Sequence, residues 1–309
     1  MLDGASYEKA VVGRSADPSL SPGQKGAAAV PDEPRPEILF HRRVRLIPAL
    51  RELWHFRELA ITLAERDLRV RYKQAVLGVA WALITPLFMM LAFTLIFTKF
   101  THVNTGGAPY ALFSYLGLLP WTFFSSAVSQ GGLSLVNNVP LLNKLYCPRE
   151  VFPIAAIGDA FADMLIASFV LLLLFPIFGY GPELISLLYV PMLMGLLFTF
   201  TIGVTIAVSA IVVYMRDLRL VLPLVIQMGL FVTPVVYSSH SIAKTELALV
   251  IYSFVNPLAP VIDGLRQVVL FGHHPQWLPF LAGSVSSVLV LAGGFWLFKR
   301  LEAGMADIA

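Results

Sequence analysis

Asp159 and Asp163 are the residues whose type and spacing most invite chemistry. Four positions apart, they share one face of a helix. They lie inside an apolar run, about 151–178, that carries no other charge. Ionisable groups at membrane depth are costly, and they turn toward a partner or a water-filled cavity. Two readings stand side by side. One is a polar network that packs helices together. The other is a pair of carboxylates on a translocation path, as a proton-coupled transporter requires. Other familiar constellations are missing from the 309 residues: no Gly-x-x-x-x-Gly-Lys-Ser/Thr phosphate loop, no His-Glu-x-x-His, no Cys-x-x-Cys and no Gly-x-Ser-x-Gly. His273 and His274 are adjacent, do not share a helical face, and read as a solvated loop rather than a metal site. Cys147 is the single cysteine, so no internal disulfide forms. The expectation is a chain with no catalytic residue and no metal site.

Two short loops are the next candidates. Residues 137–151 read NNVPLLNKLYCPREV, with a turn at Val139-Pro140 and a stop at Pro148. Between them is room for one or two helical turns. Leu141, Leu142 and Leu145 give that segment an apolar side; Lys144, Arg149 and Glu150 give it charge. It is either a docking surface for another subunit or a tight connector. The second loop, YMRDLR at 214–219, is so short that Arg216 and Asp217 read first as helix ends. Aromatics crowd the first two apolar runs. Most belong to interfacial belts and lipid-facing packing. Trp121 and Phe124 are candidates for lining a path for sugars, because pyranose rings present apolar faces to aromatic rings.

The elements that must hold these residues are membrane spans. Of the chain, 57% is hydrophobic and only 13% charged, against about 25% charged in an average soluble domain. From Ala75 to Thr98 no residue is charged, a run long enough to cross a hydrocarbon core of roughly 30 Å as a helix. Six spans are expected, at about 75–98, 109–136, 151–178, 184–215, 220–239 and 277–298. The run 247–270 is broken by Asn256-Pro257 and Pro260 and reads as re-entrant. Residues 1–40, with Pro18, Pro22, Pro31, Pro34 and Pro36, read as a disordered cytoplasmic tail. Residues 41–73 read as an amphipathic helix at the cytoplasmic interface, with Leu53, Trp54, Ile61, Ala64 and Leu68 inward and Glu58 and Glu65 outward. It is a simple anchor or an anchor that also touches a soluble partner. The permease domain spans 74–302, and 303–309 form a cytoplasmic C-terminus. Cations cluster before residue 75, and pairs recur at Lys144/Arg149, Arg216/Arg219 and Lys299/Arg300, whereas Lys99, Lys244 and Arg266 stand singly. By the positive-inside rule both termini are cytoplasmic. No secretory h-region opens the chain, so the first span acts as the insertion signal.

Four stretches in this order resemble the integral-membrane permease of the ABC-transporter polysaccharide-export family, which moves O-antigen, capsule and teichoic-acid glycans. They are ERDLRVRYKQAVLGVAWALITPL, NKLYCPREVFP, YMRDL and VNPLAPVIDGLRQVVL. The resemblance runs from about residue 45 to 302. It implies that the PRE-containing loop is a coupling helix that inserts into a separate nucleotide-binding subunit through Asn143, Lys144, Tyr146, Pro148, Arg149 and Glu150. It also implies that Arg66, Asp67, Arg71 and Tyr72 lie near that subunit, with Arg216 and Asp217 as secondary contacts. Asn256, Pro257 and Arg266 fall in an outer re-entrant segment, structural there and bordering the exit. Cys147 stands where the family has an aromatic. The function implied is a permease in the bacterial inner membrane. Two copies would work with two ATPase subunits and move a polysaccharide or lipid-linked glycan outward. ATP and Mg would sit on the partner, with no cofactor in this chain and no nucleic acid. Rival readings are an ABC drug or lipid exporter and a proton-coupled secondary transporter using Asp159 and Asp163. Transporters of the last class often carry internal repeats, and none is seen here.

Overall fold

The computed structural model describes residues 53–73, 78–100, 105–142, 147–183, 185–215, 217–302 and 304. Among them there is no strand. The helices of more than one turn are α1 (Arg57–Lys73), α2 (Ala80–Phe100), α3 (Tyr110–Asn137), α4 (Val151–Phe178), α5 (Val190–Tyr214), α6 (Leu218–Val232), α7 (Glu246–Val255), α8 (Leu258–Phe271) and α9 (Trp277–Glu302), and Val139–Leu142 forms a single turn. Five of these elements are long and apolar enough to cross a membrane: α2, α3, α4, α5 with the turn before it, and α9. The expected tail lies outside the described residues.

α3 is the axis of the bundle. It is buried along most of its length and packs on α4 and α5, while α5 packs closely on α9. Small residues set that closeness, because helices in lipid approach where side chains are missing. A Cβ on Gly203 would lie 2.7 Å from the Leu291 backbone, and one on Gly294 would run into the Gly203 carbonyl. One apolar core follows α3; a second joins α1, the end of α3 and the ends of α4, α5 and α9, around Leu63, Leu135, Phe152, Ile206 and Phe298.

Two expectations change. α1 buries Leu63 and half-buries Leu59, Ala60 and Ala64, but Trp54 and Ile61 face outward. Helical period marked all of them as apolar, but only one side of the helix meets protein. The fifth expected span, 220–239, is helical only over the 15 residues of α6, about 22 Å, and the non-helical segment from Thr233 follows on. The helix stops at Thr233 because the following Pro234 disfavours helical backbone before it; Thr233 is extended, with ψ 141°. The re-entrant expectation corresponds to α7 and α8, which meet at 118° across Asn256-Pro257. Gly272, at φ 66°, ends α8 in the left-handed conformation that glycine adopts at no steric cost.

Candidate functional site

At the end of the bundle that carries α1, one guanidinium gathers three helices. Arg71 donates from Nη1 to Asp163 Oδ2 at 2.6 Å, and from Nη2 to Asp159 Oδ2 on α4 and to Gln130 Oε1 on α3. The neighbouring Tyr72 hydroxyl donates to Asp163 Oδ1 at 2.5 Å. Asp159 is fully buried, and its Oδ1 has no hydrogen-bond partner. The network holds two carboxylates and one cation. Burial works against the Arg71 charge, but Asp159 and Asp163 outweigh it and hold the guanidinium pKa above its ordinary value. Burial, with the hydrogen bond to Asp163, pushes the Tyr72 hydroxyl up to about 12, so it remains a donor at neutral pH. Of the α1 residues placed near a partner subunit, Arg71 and Tyr72 therefore turn their polar ends into the chain itself. Arg66 pairs with Asp67 at 2.7 Å and donates to Asn138 Oδ1 at 3.0 Å, tying α1 to the end of α3.

The loop after α3 is pinned at both ends of its described part. Leu141, Leu142 and Cys147 pack against the second apolar core, and burial raises the Cys147 thiol pKa. Pro148 and Arg149 are half-buried, and Glu150, at the start of α4, is 1% exposed. Its carboxylate pairs with Lys299 Nζ, which also meets Glu302 at 2.9 Å. Burial lifts the Glu150 pKa, and the Lys299 ammonium opposes that rise. The Arg149 guanidinium donates to the Glu302 carbonyl at 3.4 Å. The start of α4 and the end of α9 are thus joined by charge. Asn143, Lys144, Tyr146 and Arg216 lie outside the described residues. Asp217 is exposed at the N-terminus of α6, without a side-chain cap bond. Its negative charge still suits the positive end of the helix dipole.

At the far end Arg266 is the organising residue. It is 2% exposed and stacks on Phe113, with its guanidinium carbon 3.6 Å from the ring centroid. It donates to the carbonyls of Phe113 (3.1 Å), Pro234 (2.8 Å), Tyr237 (2.9 Å) and Val235 (2.5 Å), and pairs with Asp263. Non-helical backbone at membrane depth needs such internal donors. Asn256 donates to Thr233 Oγ1 at 2.9 Å and accepts from the Leu258 amide, so it joins the α7–α8 break to the same segment. Pro257 stands at that break, just before α8. Trp121 is buried against Gly229 of α6, and Phe124 stacks on Phe200 at 5.5 Å.

These are the parts of a multi-span helical membrane permease with polar joints at both ends. A profile of the ABC-2 type transporter family matches residues 58–270, and the chain belongs to that family. It is similar to the O-antigen export system permease protein RfbA of Myxococcus xanthus, 29% identical over 85% of this chain and 99% of the relative. A Klebsiella pneumoniae protein of the same name is 27% identical over 81% of this chain and 95% of its own. The polysialic acid transport protein KpsM of Escherichia coli is 25% identical over 78% and 92%. Sequence reasoning missed Gln130, Asp263, Lys299 and Glu302 as parts of the joints. The Lys299–Glu302 spacing was available as a signal; the partner Glu150 was not.

Proposed function

We propose that the chain is the membrane subunit of an ATP-driven exporter of polysaccharide or lipid-linked glycan. It resides in the inner membrane of a bacterium with both termini in the cytoplasm. Two copies form the pathway, and two separate nucleotide-binding subunits, carrying ATP and Mg, power it. The observation that carries this reading is the match of nearly the full length of O-antigen and polysialic acid permeases. The chain adds no phosphate loop of its own. The loop from Asn143 to Glu150 serves as the docking element, and Glu150 fixes its end to Lys299 on α9. ATP binding draws the partner subunits together, pushes on this loop, and tilts α3, α4 and α9 together. The cationic residues at the α1 end support the orientation.

One observation weighs against the proton-coupled alternative. Asp159 and Asp163 share the Arg71 guanidinium, so a proton-coupled carrier would have to break that network to use them. A drug or lipid exporter on the same scaffold differs only in cargo. The test is purification of the tagged chain from its native membrane in mild detergent, followed by mass spectrometry of protein and carbohydrate. A stoichiometric subunit with a phosphate loop, together with a glycan or prenyl-linked sugar, is the expected result. The chain without any ATPase subunit would refute the reading, and an ATPase partner with lipid or drug cargo would move it to the rival class.

A further inference from the structure

We propose that Arg71 is a positioning residue whose shared guanidinium makes α1 and α4 a single moving part. Through it, displacement of α1 becomes displacement of the spans. The proposal rests on the ATPase-driven reading only for what moves α1. Three observations carry it. First, the contacts bridge three elements: Arg71 and Tyr72 stand on α1, Asp159 and Asp163 on α4, and Gln130 on α3. Second, the geometry is directional. Asp163 receives two donors from successive residues of α1, so α1 cannot slide or rotate past α4 without losing both. Third, one end of the pairing is buried. Asp159 is wholly enclosed while the Arg71 side chain is 33% exposed, so separation would strand the Asp159 charge in a medium that penalises it. The two helices also approach closely beside the joint: Ala64 of α1 lies 3.5 Å from where a Cβ on Gly158 would stand.

Charge accounting makes the proposal specific. Two carboxylates face one guanidinium, and Asp159 Oδ1 is unpartnered. Removing one carboxylate, as in Asp159→Asn, leaves a balanced pair of Arg71 with Asp163. Removing the cation, as in Arg71→Gln, leaves one buried and one half-buried carboxylate with none. A fold-holding ion cluster and a transmitting joint both disfavour Arg71→Gln, so that variant alone decides nothing. The combined variant Arg71→Met, Asp159→Asn, Asp163→Asn removes every charge of this network and leaves packing to join α1 to α4.

The experiment joins this variant to a covalent lock. Ala64→Cys with Gly158→Cys, in a Cys147→Ser background, places two thiols at a spacing suited to a disulfide. Surface polysaccharide is measured as total extracellular hexose from cells whose only copy is the variant, with the ATPase subunit present or depleted. In the locked chain with the native network, export continues within about twofold of the reduced state, because parts that move together tolerate a bond between them. The charge-free variant copurifies with its ATPase subunit but exports roughly tenfold less, and oxidation of the cysteine pair restores export. Export that stops on oxidation of the native network and returns on reduction would mean that α1 slides on α4, and would overturn the proposal. So would wild-type export from the charge-free variant. Should that variant fail to accumulate, the lock on the native network decides by itself. Wild-type export that survives ATPase depletion would refute the functional reading, and the lock would still report on the joint.

Discussion

Replacing Arg266 with methionine tests how the far end of the bundle is held. Methionine keeps an unbranched apolar stem against Phe113 and removes every donor. Four carbonyls, those of Phe113, Pro234, Val235 and Tyr237, then lose the hydrogen bonds that Arg266 supplies at 2.5–3.1 Å. A hydrogen bond from a charged group contributes about 1.5–3 kcal/mol net. Four independent ones would give roughly 6–12 kcal/mol, but bonds within one network are not additive. Some of the freed carbonyls also find water, and Asp263, 19% exposed, rehydrates. A loss of about 4 kcal/mol is the conservative expectation, a large part of the 5–15 kcal/mol that holds a typical domain together. At about 2–4 °C per kcal/mol for chains of this size, the midpoint should fall by roughly 10 °C. The assay is retention of the monodisperse peak on size exclusion after heating in detergent. Arg266→Lys should fall between wild type and Arg266→Met, because a single ammonium has three donors for five acceptors. A methionine variant within about 2 °C of wild type would refute the reasoning, since the segment 233–237 would then not depend on Arg266.

Neighbouring glycines in α9 should respond in opposite ways. Gly294→Ala drives a Cβ into the Gly203 carbonyl and should cost about 1–3 kcal/mol by overpacking, whereas Gly293→Ala meets nothing within 4 Å and should gain up to ~1 kcal/mol from helix propensity; the same heating assay compares them. Cys147 should alkylate slowly at neutral pH. The thiolate is the nucleophile and burial raises its pKa, so maleimide labelling of the native chain should keep accelerating above pH ~8.5, where a free thiol levels off, and SDS should abolish the difference. Lys299→Met should loosen the start of α4 by leaving Glu150, 1% exposed, without its cation; adding Glu150→Gln should recover most of the lost thermal stability.

The spans were legible because membrane segments announce themselves by what they lack. α4 begins and ends where the apolar run does, and the Asn256-Pro257 break falls at the 118° bend between α7 and α8. The α6 boundary was harder, since hydropathy continues past Val232 while the backbone obeys Pro234. Asp159 and Asp163 were visible as a pair that needed a partner. Their cation, Arg71, lies 88 and 92 positions away, and no local period points to it. The same holds for Glu150 and Lys299, which only the folded bundle brings together. Ile61 on α1 and Trp54 just before it have the spacing of a core face, but spacing does not tell which apolar side meets protein and which meets lipid.

The most direct measurement is uptake of a radiolabelled prenyl-diphosphate glycan into inside-out membrane vesicles containing the chain and its partner. ATP-driven export predicts that uptake requires ATP, stops when the partner's phosphate-loop lysine is replaced, and continues in the presence of a protonophore. Uptake without ATP that collapses with the proton gradient and is lost in Asp163→Asn would contradict it.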